Sequence, residues 1–251
     1  MIKFFRKIRY ELMEKNKTGK YLKYAIGEIV LVVIGILIAL SINNWNQERQ
    51  SRVKEIEILK DFQKGLKFDI LQMDSIFLQY DRVKVSLNKV LQHLEENRAY
   101  SDSLDIHFFN TTIIYDSGGL ADGVFETLKS AGFDLISNKD IRDLIISVYD
   151  EHHPWMHDWE IRYINLIFDA QKDIYNTRFE DFWNGDNKDL SIIGVMKPTD
   201  YEALKNDNEF KHLLRTQLNL IGWLIEKPVR NTKNECRRLL RLIESELENL
   251  E

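Results

Sequence analysis

Near its amino end the chain contains the uncharged apolar run Ile29-Val-Leu-Val-Val-Ile-Gly-Ile-Leu-Ile-Ala-Leu-Ser-Ile42. Counted from Tyr21, the segment is about 22 residues long, and a helix of that length crosses the roughly 30 Å hydrocarbon layer of a bilayer. Tyr21 and Tyr24 precede the run and Trp45 follows it, at positions where amphipathic rings favour the membrane interface. The pattern predicts a transmembrane helix over residues 25–43.

Two other kinds of segment share this composition. A cleaved signal peptide has a short basic region and a small-residue cleavage site, whereas here the basic region exceeds 20 residues and Ile38-Ala-Leu-Ser41 fits such a site poorly. A buried helix of a soluble protein can also be apolar all round, but it does not need aromatic residues at both ends. An uncleaved signal anchor agrees best with the sequence.

The charge is distributed unevenly about the apolar run. Residues 1–24 contain eight basic and two acidic side chains, whereas residues 29–251 contain 27 basic and 37 acidic ones. Because basic flanks are retained in the cytoplasm, the sequence predicts a cytoplasmic amino terminus and an extracytoplasmic body. The single cysteine, Cys236, excludes an intrachain disulfide. The acidic body would repel phosphates, which argues against nucleic-acid binding.

The basic segment 1–24 is also amphipathic. Ile2, Phe5, Ile8 and Leu12 recur at helical spacing, with basic residues on the other flank. Such a segment can lie along an anionic inner leaflet, gaining about 1 kcal/mol per basic residue. It can equally serve only as the topology signal, and the sequence leaves both interpretations open.

Three stretches carry a resemblance to known proteins: Ile2-Lys-Phe-Phe-Arg-Lys-Ile-Arg9, residues 19–40 and Ile42-Asn-Asn-Trp-Asn46. They resemble the opening of an uncharacterised family of small bacterial single-pass membrane proteins, a domain of unknown function. The resemblance covers mainly residues 1–48, with a weaker continuation at 125–132 and 135–138. It supports an anchor in the bacterial inner membrane and supplies no catalytic residues. Together with the charge asymmetry, it predicts a periplasmic carboxyl-terminal domain.

One face of the predicted transmembrane helix combines a polar group with small residues. At about 100° per residue, Glu28, Gly35 and Ala39 lie within about 40° of one another. Small residues four apart let two helix backbones approach closely, so we interpret this face as a helix-packing surface. The alternative is chance, since Gly and Ala are common in transmembrane helices. Glu28, at the cytoplasmic edge, can also extend its carboxylate to the headgroups.

Beyond Trp45 the sequence becomes charged and amphipathic, and we assign residues 44–98 to a long stalk helix. Apolar residues from Leu59 to Leu94 follow alternating steps of three and four, interrupted where Asp69 takes a seam position. Sustained heptads indicate a helix whose seam packs against another helix. The sequence does not say whether that partner is a second copy, as in a coiled coil, or the rest of this chain.

Residues 99–251 predict a helical bundle continuous with the stalk, so the fold class is all-α. Helices are expected over 121–131, where Gly132 caps the end, and after Ser137-x-x-Asp140, which resembles a capping box. Thr199-x-x-Glu202 predicts another helix start. Pro154 is expected to interrupt or restart its helix, and Pro228 to kink or divide its helical region. Short strands are possible at 111–115 and 191–196.

The most suggestive cluster of chemical groups is Asp150-Glu-His-His-Pro-Trp-Met-His-Asp-Trp-Glu160. His153 and His157 are four apart and could present two imidazoles to one zinc ion. The His-Glu-x-x-His order is absent, and Pro154 should place His153 at or before a helix start, so a solvated helix junction is favoured. The cluster remains a weak metal candidate.

Aromatic residues around this cluster could line a pocket or belong to the core, and helical spacing favours the core. They are Trp155, Trp159, Tyr163, Phe179, Phe182 and Trp183.

No catalytic or cofactor-binding residue is predicted. The chain lacks a nucleophile elbow, a phosphate-binding loop and a kinase signature. We therefore expect a non-enzymatic, membrane-anchored scaffold or accessory subunit, whose partners are the lipid bilayer and either further copies of itself or another membrane protein. The alternatives are an extracytoplasmic ligand sensor acting through a membrane partner and a metal-dependent hydrolase.

Overall fold

The computed structural model describes residues 18–115, 121–180 and 194–250, and every regular element in these ranges is helical. The chain divides into two compact units, residues 1–54 and 55–251. The α-helices are α1 (Thr18–Glu95), α2 (Asp105–Asn110), α3 (Gly123–Ala131), α4 (Lys139–Ile146), α5 (His153–Ala170), α6 (Asn176–Arg178), α7 (Tyr201–Lys205), α8 (Asn208–Leu220) and α9 (Lys227–Leu250).

The first unit contains the amino-terminal part of α1, including the apolar run. Among the described residues, α1 is the one helix apolar enough over sufficient length to cross a membrane, and none of that apolar window is buried. Large side chains such as Ile29, Leu31 and Ile42 are more than 60% exposed. A soluble helix with this composition would bury its apolar surface, so the exposure is compatible with a membrane anchor. The predicted basic segment 1–24 lies mostly outside the described residues.

The stalk predicted over residues 44–98 is part of α1. The helix begins at Thr18, so the apolar run and the amphipathic stretch share one uninterrupted element. It ends at Glu95, and two residues later Asn97 adopts a positive φ of 52°. Asn tolerates this left-handed conformation better than most residues, which explains why the helix stops here.

The seam of α1 packs against helices of the same chain. Its apolar residues are nearly inaccessible to solvent and belong to the core of the second unit. The partner that the sequence left open is therefore the rest of this chain. The seam residues, exposed by 2% or less, are Leu59, Phe62, Leu66, Met73, Ile76, Tyr80, Val83, Leu87, Val90 and Leu94.

Polar contacts set the direction in which α1 packs against the helical run 208–250. Partners later in α1 pair with residues earlier in the run, so the two elements are antiparallel. Opposite charges meet at four successive levels of the two elements. In order along α1, the ion pairs are Lys67–Glu244, Asp74–Lys233, Lys84–Glu226 and Glu95–Arg215.

Wide helical turns connect α-helices without breaking the run. Ser147–His152 and Ile221–Glu226 are π-helical, and each leads directly into an α-helix whose second residue is a proline, Pro154 or Pro228. A proline inside an α-helix clashes with the carbonyl four residues earlier, and a π turn rearranges that hydrogen-bond ladder. The α-helical hydrogen bonding thus changes before each proline, in agreement with the predictions that Pro154 restarts its helix and that Pro228 divides its helical region. Gln171–Tyr175 is also π-helical, without a following proline.

Two predicted helix caps are displaced by one residue. Asn138, not Ser137, caps α4, since its side chain accepts hydrogen bonds from the N–H groups of Asp140 and Ile141. Asp200, not Thr199, caps α7 by accepting from Ala203 N–H. The predicted cap at Gly132 is confirmed, with a φ of 98° that favours glycine.

The possible strands do not form in the described residues. Thr111 and Thr112 instead turn back on α2, where their hydroxyls donate to the carbonyls of Phe108 and Phe109. Residues 191–193 lie outside the described ranges, and 194–196 are irregular, with Met196 N–H donating to Asp105 O. Thr111 and Thr112 therefore close the end of α2, and residues 113–115 are irregular. An isolated bridge joins Phe179 to Pro198.

Candidate functional site

The predicted packing face of the apolar run is open. A Cβ added to Gly35 would meet nothing within 4 Å outside its own helix, and Ala39 is exposed. Glu28 lies on the same face of the helix as these two residues. It is half-buried and lines a groove of about 320 Å³ together with Ala25 and Val32. The face therefore leaves room for close approach by another helix backbone.

The predicted interface residues are only partly described. Trp45 is 62% exposed, as expected for a ring placed in the headgroup region. The side chains of Tyr21 and Tyr24 lie outside the described part of the structure, although their backbone belongs to α1. The placement of aromatic residues at the membrane interface therefore stays a prediction at both ends of the apolar run.

His153 and His157 lie on the same helix. α5 begins at His153, and the ring centroids of the two imidazoles are 6.5 Å apart. Burial lowers the pKa of His153, which favours the neutral form that binds metals. His157 Nδ1 lies 4.0 Å from Glu160 Oε2, whose carboxylate is buried. The expectation that His153 lies at or before a helix start agrees with the structure, since α5 begins at His153 and has Pro154 in its first turn.

The described ranges contain no group of three or more His, Cys, Asp or Glu side chains positioned to hold a metal ion. Zinc sites in proteins need three or four such ligands. In the described residues, His153 and His157 therefore have no third side chain placed to complete a zinc site.

The aromatic residues near this cluster divide between core and surface. Tyr163 is fully buried and Phe179 is 7% exposed, so both belong to the core. Trp155 is 37% exposed, and Phe182 and Trp183 lie outside the described residues. The ring of Tyr163 packs edge-to-face against that of Tyr80, with ring centroids 5.6 Å apart. The core interpretation is confirmed for the two buried rings.

A buried carboxylate in α1 is the polar feature whose environment sequence reasoning missed. Asp69 is 1% exposed, and its Oδ1 accepts a hydrogen bond of 2.9 Å from Ala121 N–H. Its Oδ2 has no hydrogen-bond partner, and neither does the nearby hydroxyl of Tyr149. Burial raises the pKa of Asp69 to about 6, against the lowering effect of the Ala121 hydrogen bond.

The Cys236 thiol interacts electrostatically with the Asp69 carboxylate. Burial raises the pKa of its thiol to about 12, and the Asp69 carboxylate adds to that shift. A thiol with such a pKa stays protonated at neutral pH and is a poor nucleophile. The sequence signal for this cluster was the polar interruption of the α1 seam, but only the packing shows that three polar groups meet there.

A surface cleft of about 610 Å³ lies between α4, the turn after it and α9. Its charged lining residues are mostly acidic, and several are already paired along their own helices, as in Arg238 with Glu235 at 3.5 Å. The cleft is open to solvent and only partly apolar, so it resembles a groove more than an enclosed ligand pocket. Its lining residues are Asp140, Asp143, Leu144, Ser147, His152, Glu235, Arg238 and Leu242.

Comparisons with known proteins give one match. No curated protein and no solved structure matches the chain. A model described as a family of unknown function (DUF6090) matches residues 28–102, which include the apolar run and the α1 seam. The match supports an uncharacterised domain over that part of the sequence.

Proposed function

We propose that this protein is a membrane-anchored, non-enzymatic scaffold or accessory subunit that holds an acidic helical bundle outside the bacterial inner membrane. The observation that carries the proposal is the apolar run within α1, which exposes its large side chains and has no burial in its most apolar window. In water such a surface would cost about 25 cal/mol per Å², and a lipid environment removes that cost.

The proposed orientation places the amino terminus in the cytoplasm and the carboxyl-terminal domain in the periplasm. The excess of basic residues in 1–24 over the acidic remainder supports it. Protease added to spheroplasts should digest an epitope at the carboxyl terminus, and the same protease added to inside-out vesicles should leave it intact. The opposite pattern of digestion would show that the carboxyl-terminal domain lies in the cytoplasm and would overturn this orientation.

Assembly is proposed to use the open face of the spanning helix. Gly35 and Ala39 would allow another helix backbone to approach closely, and Glu28 lies on the same face. The partner is a further copy or another membrane protein, held in the lipid bilayer. The acidic body disfavours nucleic acid as a partner.

The experiment compares two double variants of the full-length protein in native membranes. Gly35→Leu with Ala39→Leu fills the proposed face, and Val30→Phe with Val33→Phe adds similar bulk on the other side of the helix. Crosslinking followed by affinity purification and mass spectrometry should show that only the first variant loses partners. If the unmodified protein yields monomer alone with nothing co-purifying, the scaffold function fails.

A ligand sensor is the second candidate, and the 610 Å³ cleft between α4 and α9 favours it. Asp140, Asp143 and Glu235 give the cleft an acidic lining, which suits a cationic ligand such as a polyamine. Thermal-shift measurements with spermidine and putrescine test this function. Stabilisation that disappears in Asp143→Asn supports the sensor, and unchanged melting with both amines counts against it.

A further inference from the structure

The second unit exposes an apolar stripe on the side of α1 that faces away from the core. Phe68 is 55% exposed, Leu71 68%, Leu78 66% and Val85 63%. The seam residues on the opposite side of the same helix are almost fully buried, so α1 carries apolar residues on two faces and the fold covers only one of them. We call these four residues the outer stripe.

The outer stripe follows the heptad spacing of paired helices. Leu71, Leu78 and Val85 are seven residues apart, and Phe68 precedes Leu71 by three. In heptad terms, the three aliphatic residues occupy d positions and Phe68 an a position. A regular 3.5-residue repeat is typical of a helix face that packs against one other helix. The following a positions are polar, namely Ser75 and Arg82.

The proposed membrane anchor determines how two copies would meet. Both chains enter the bilayer by the same amino-terminal segment, so their α1 helices run in the same direction and equivalent residues face each other. This step rests on the proposed function. In a parallel pair an a residue also lies beside the preceding g residue of its partner. Arg82 of each copy faces Arg82 of the other, and Asp81 of the other copy lies beside each guanidinium, so that the two carboxylates offset the like charges across the two-fold axis.

The charges available at this position suit that pairing. Asp81 is 61% exposed and forms its ion pair with Lys84 of the same helix, at 2.8 Å. Arg82 is exposed and forms no ion pair in the described part of the chain. An interhelical Arg82–Asp81 contact would therefore add a partner without breaking a buried one. Such g-position charges set register and orientation in helical pairs.

The area of the outer stripe limits how strongly it can act alone. Each of its four side chains would contribute on the order of 100 Å², given the 150–250 Å² that a large aromatic residue buries. The total of roughly 400 Å² per copy is about half of the 800 Å² per partner in a standard stable interface. Pairing through the stripe therefore needs help from the membrane, which concentrates the copies and aligns them.

We infer that a second copy of this chain packs in parallel against Phe68, Leu71, Leu78 and Val85, forming a membrane-dependent homodimer. The buried seam of α1 holds each protomer together, and the outer stripe joins one protomer to the other. The two faces of one helix thus separate folding from assembly.

Cysteine crosslinking in native membranes tests the pairing with full-length protein. Leu78→Cys places a thiol in the centre of the stripe, and Gln72→Cys places one on an exposed position about 120° away around the helix. The native Cys236 is fully buried and serves in both variants as an unreactive background. Mild oxidation should convert most of Leu78→Cys into a covalent dimer and at least five-fold less of Gln72→Cys.

A third variant separates assembly from folding. Leu71→Glu in the Leu78→Cys background should abolish the covalent dimer while leaving the melting temperature unchanged, because the Leu71 side chain is 68% exposed. Equal crosslinking at positions 72 and 78, or none at 78 in protein that resides in the membrane, overturns the pairing but not the membrane anchor. Recovery of the chain in the soluble fraction overturns the proposed function and the pairing together.

Discussion

Asp69 Oδ1 accepts a hydrogen bond of 2.9 Å from the backbone N–H of Ala121, in the loop before α3. This contact fastens the loop to the middle of α1 by a carboxylate that is almost completely buried. The other oxygen, Oδ2, lacks a hydrogen-bond partner, so the ionised form is poorly compensated. The arrangement stabilises the protonated acid, which explains the raised pKa of about 6.

The stability of the protein should therefore depend on pH through Asp69. Because the folded-state pKa is raised above the ordinary aspartate value of 3.8, this group favours folding most below pH 3.8 and loses that contribution as pH rises towards 6. Asp69→Asn removes the titration and keeps an acceptor for Ala121. At pH 7.5 we expect this variant to be more stable than the unmodified protein, by up to about 3 kcal/mol.

Thermal unfolding of the full-length protein in detergent, followed by tryptophan fluorescence from pH 4 to 7.5, measures this difference. Asp61→Asn, on an exposed position of the same helix, is the matched control and should show no trend. A stability difference between Asp69→Asn and unmodified protein that stays constant over this range would contradict the assignment.

The ion pair between Asp74 and Lys233 should respond unequally to removal of its two partners. The Lys233 side chain is 8% exposed and Asp74 48%. Asp74→Asn leaves a buried ammonium without its anion, which costs about 1–3 kcal/mol. Lys233→Met retains the aliphatic packing and leaves a carboxylate that water can reach, so we expect a loss below about 1 kcal/mol. Urea denaturation of both variants compares them directly, and a larger loss for Lys233→Met would refute this order.

Removing the cap of α4 should destabilise the second unit. The Asn138 side chain accepts from two backbone N–H groups and donates to Glu246 at 2.8 Å. Asn138→Ala should cost about 1 kcal/mol in unfolding free energy, and Asn138→Ser, which restores an acceptor, should recover part of it. Chemical denaturation provides the measurement. Equal losses for the two variants would show that the contact to Glu246 matters more than the cap.

Gly194 packs tightly against an aromatic ring. A Cβ at this position would lie 2.4 Å from Phe109 ring atoms, a distance that forces the ring to move. Gly194→Ala should therefore destabilise the protein by about 1–3 kcal/mol. Phe109→Leu makes space, so the double variant should lose less than the sum of the single variants. Strict additivity in this double-mutant cycle would mean that the two residues do not share the space.

Local patterns in the sequence predicted much of the helical structure. The apolar periodicity from Leu59 to Leu94 corresponds to residues that are buried, and Gly132 ends α3 as expected. The two misplaced caps show where local reasoning stops. Ser137 has the right chemistry to cap α4, but its N–H and hydroxyl both donate to Glu55, 82 residues earlier in the chain. The hydrogen bonds to Glu55 therefore occupy Ser137, and Asn138 caps α4 instead.

The candidate surfaces were predictable to different degrees. Glu28, Gly35 and Ala39 could be recognised from spacing because a helical face depends only on the number of residues between its members. The outer stripe from Phe68 to Val85 escaped notice because sequence alone does not say which of two apolar faces the fold covers. His153 and His157 share one helix because α5 begins at His153, with Pro154 in the first turn that its ring tolerates.

The sequence by itself determined the apolar run, the charge asymmetry around it and the helical periodicity of the remainder, since hydropathy and spacing are properties of neighbouring residues. Only the tertiary structure decided that the α1 seam is filled by the same chain, that Asp69 lies buried beside Tyr149 and Cys236, and that Phe68, Leu71, Leu78 and Val85 remain exposed. These outcomes depend on contacts between segments far apart in the chain, and burial is a property of those contacts.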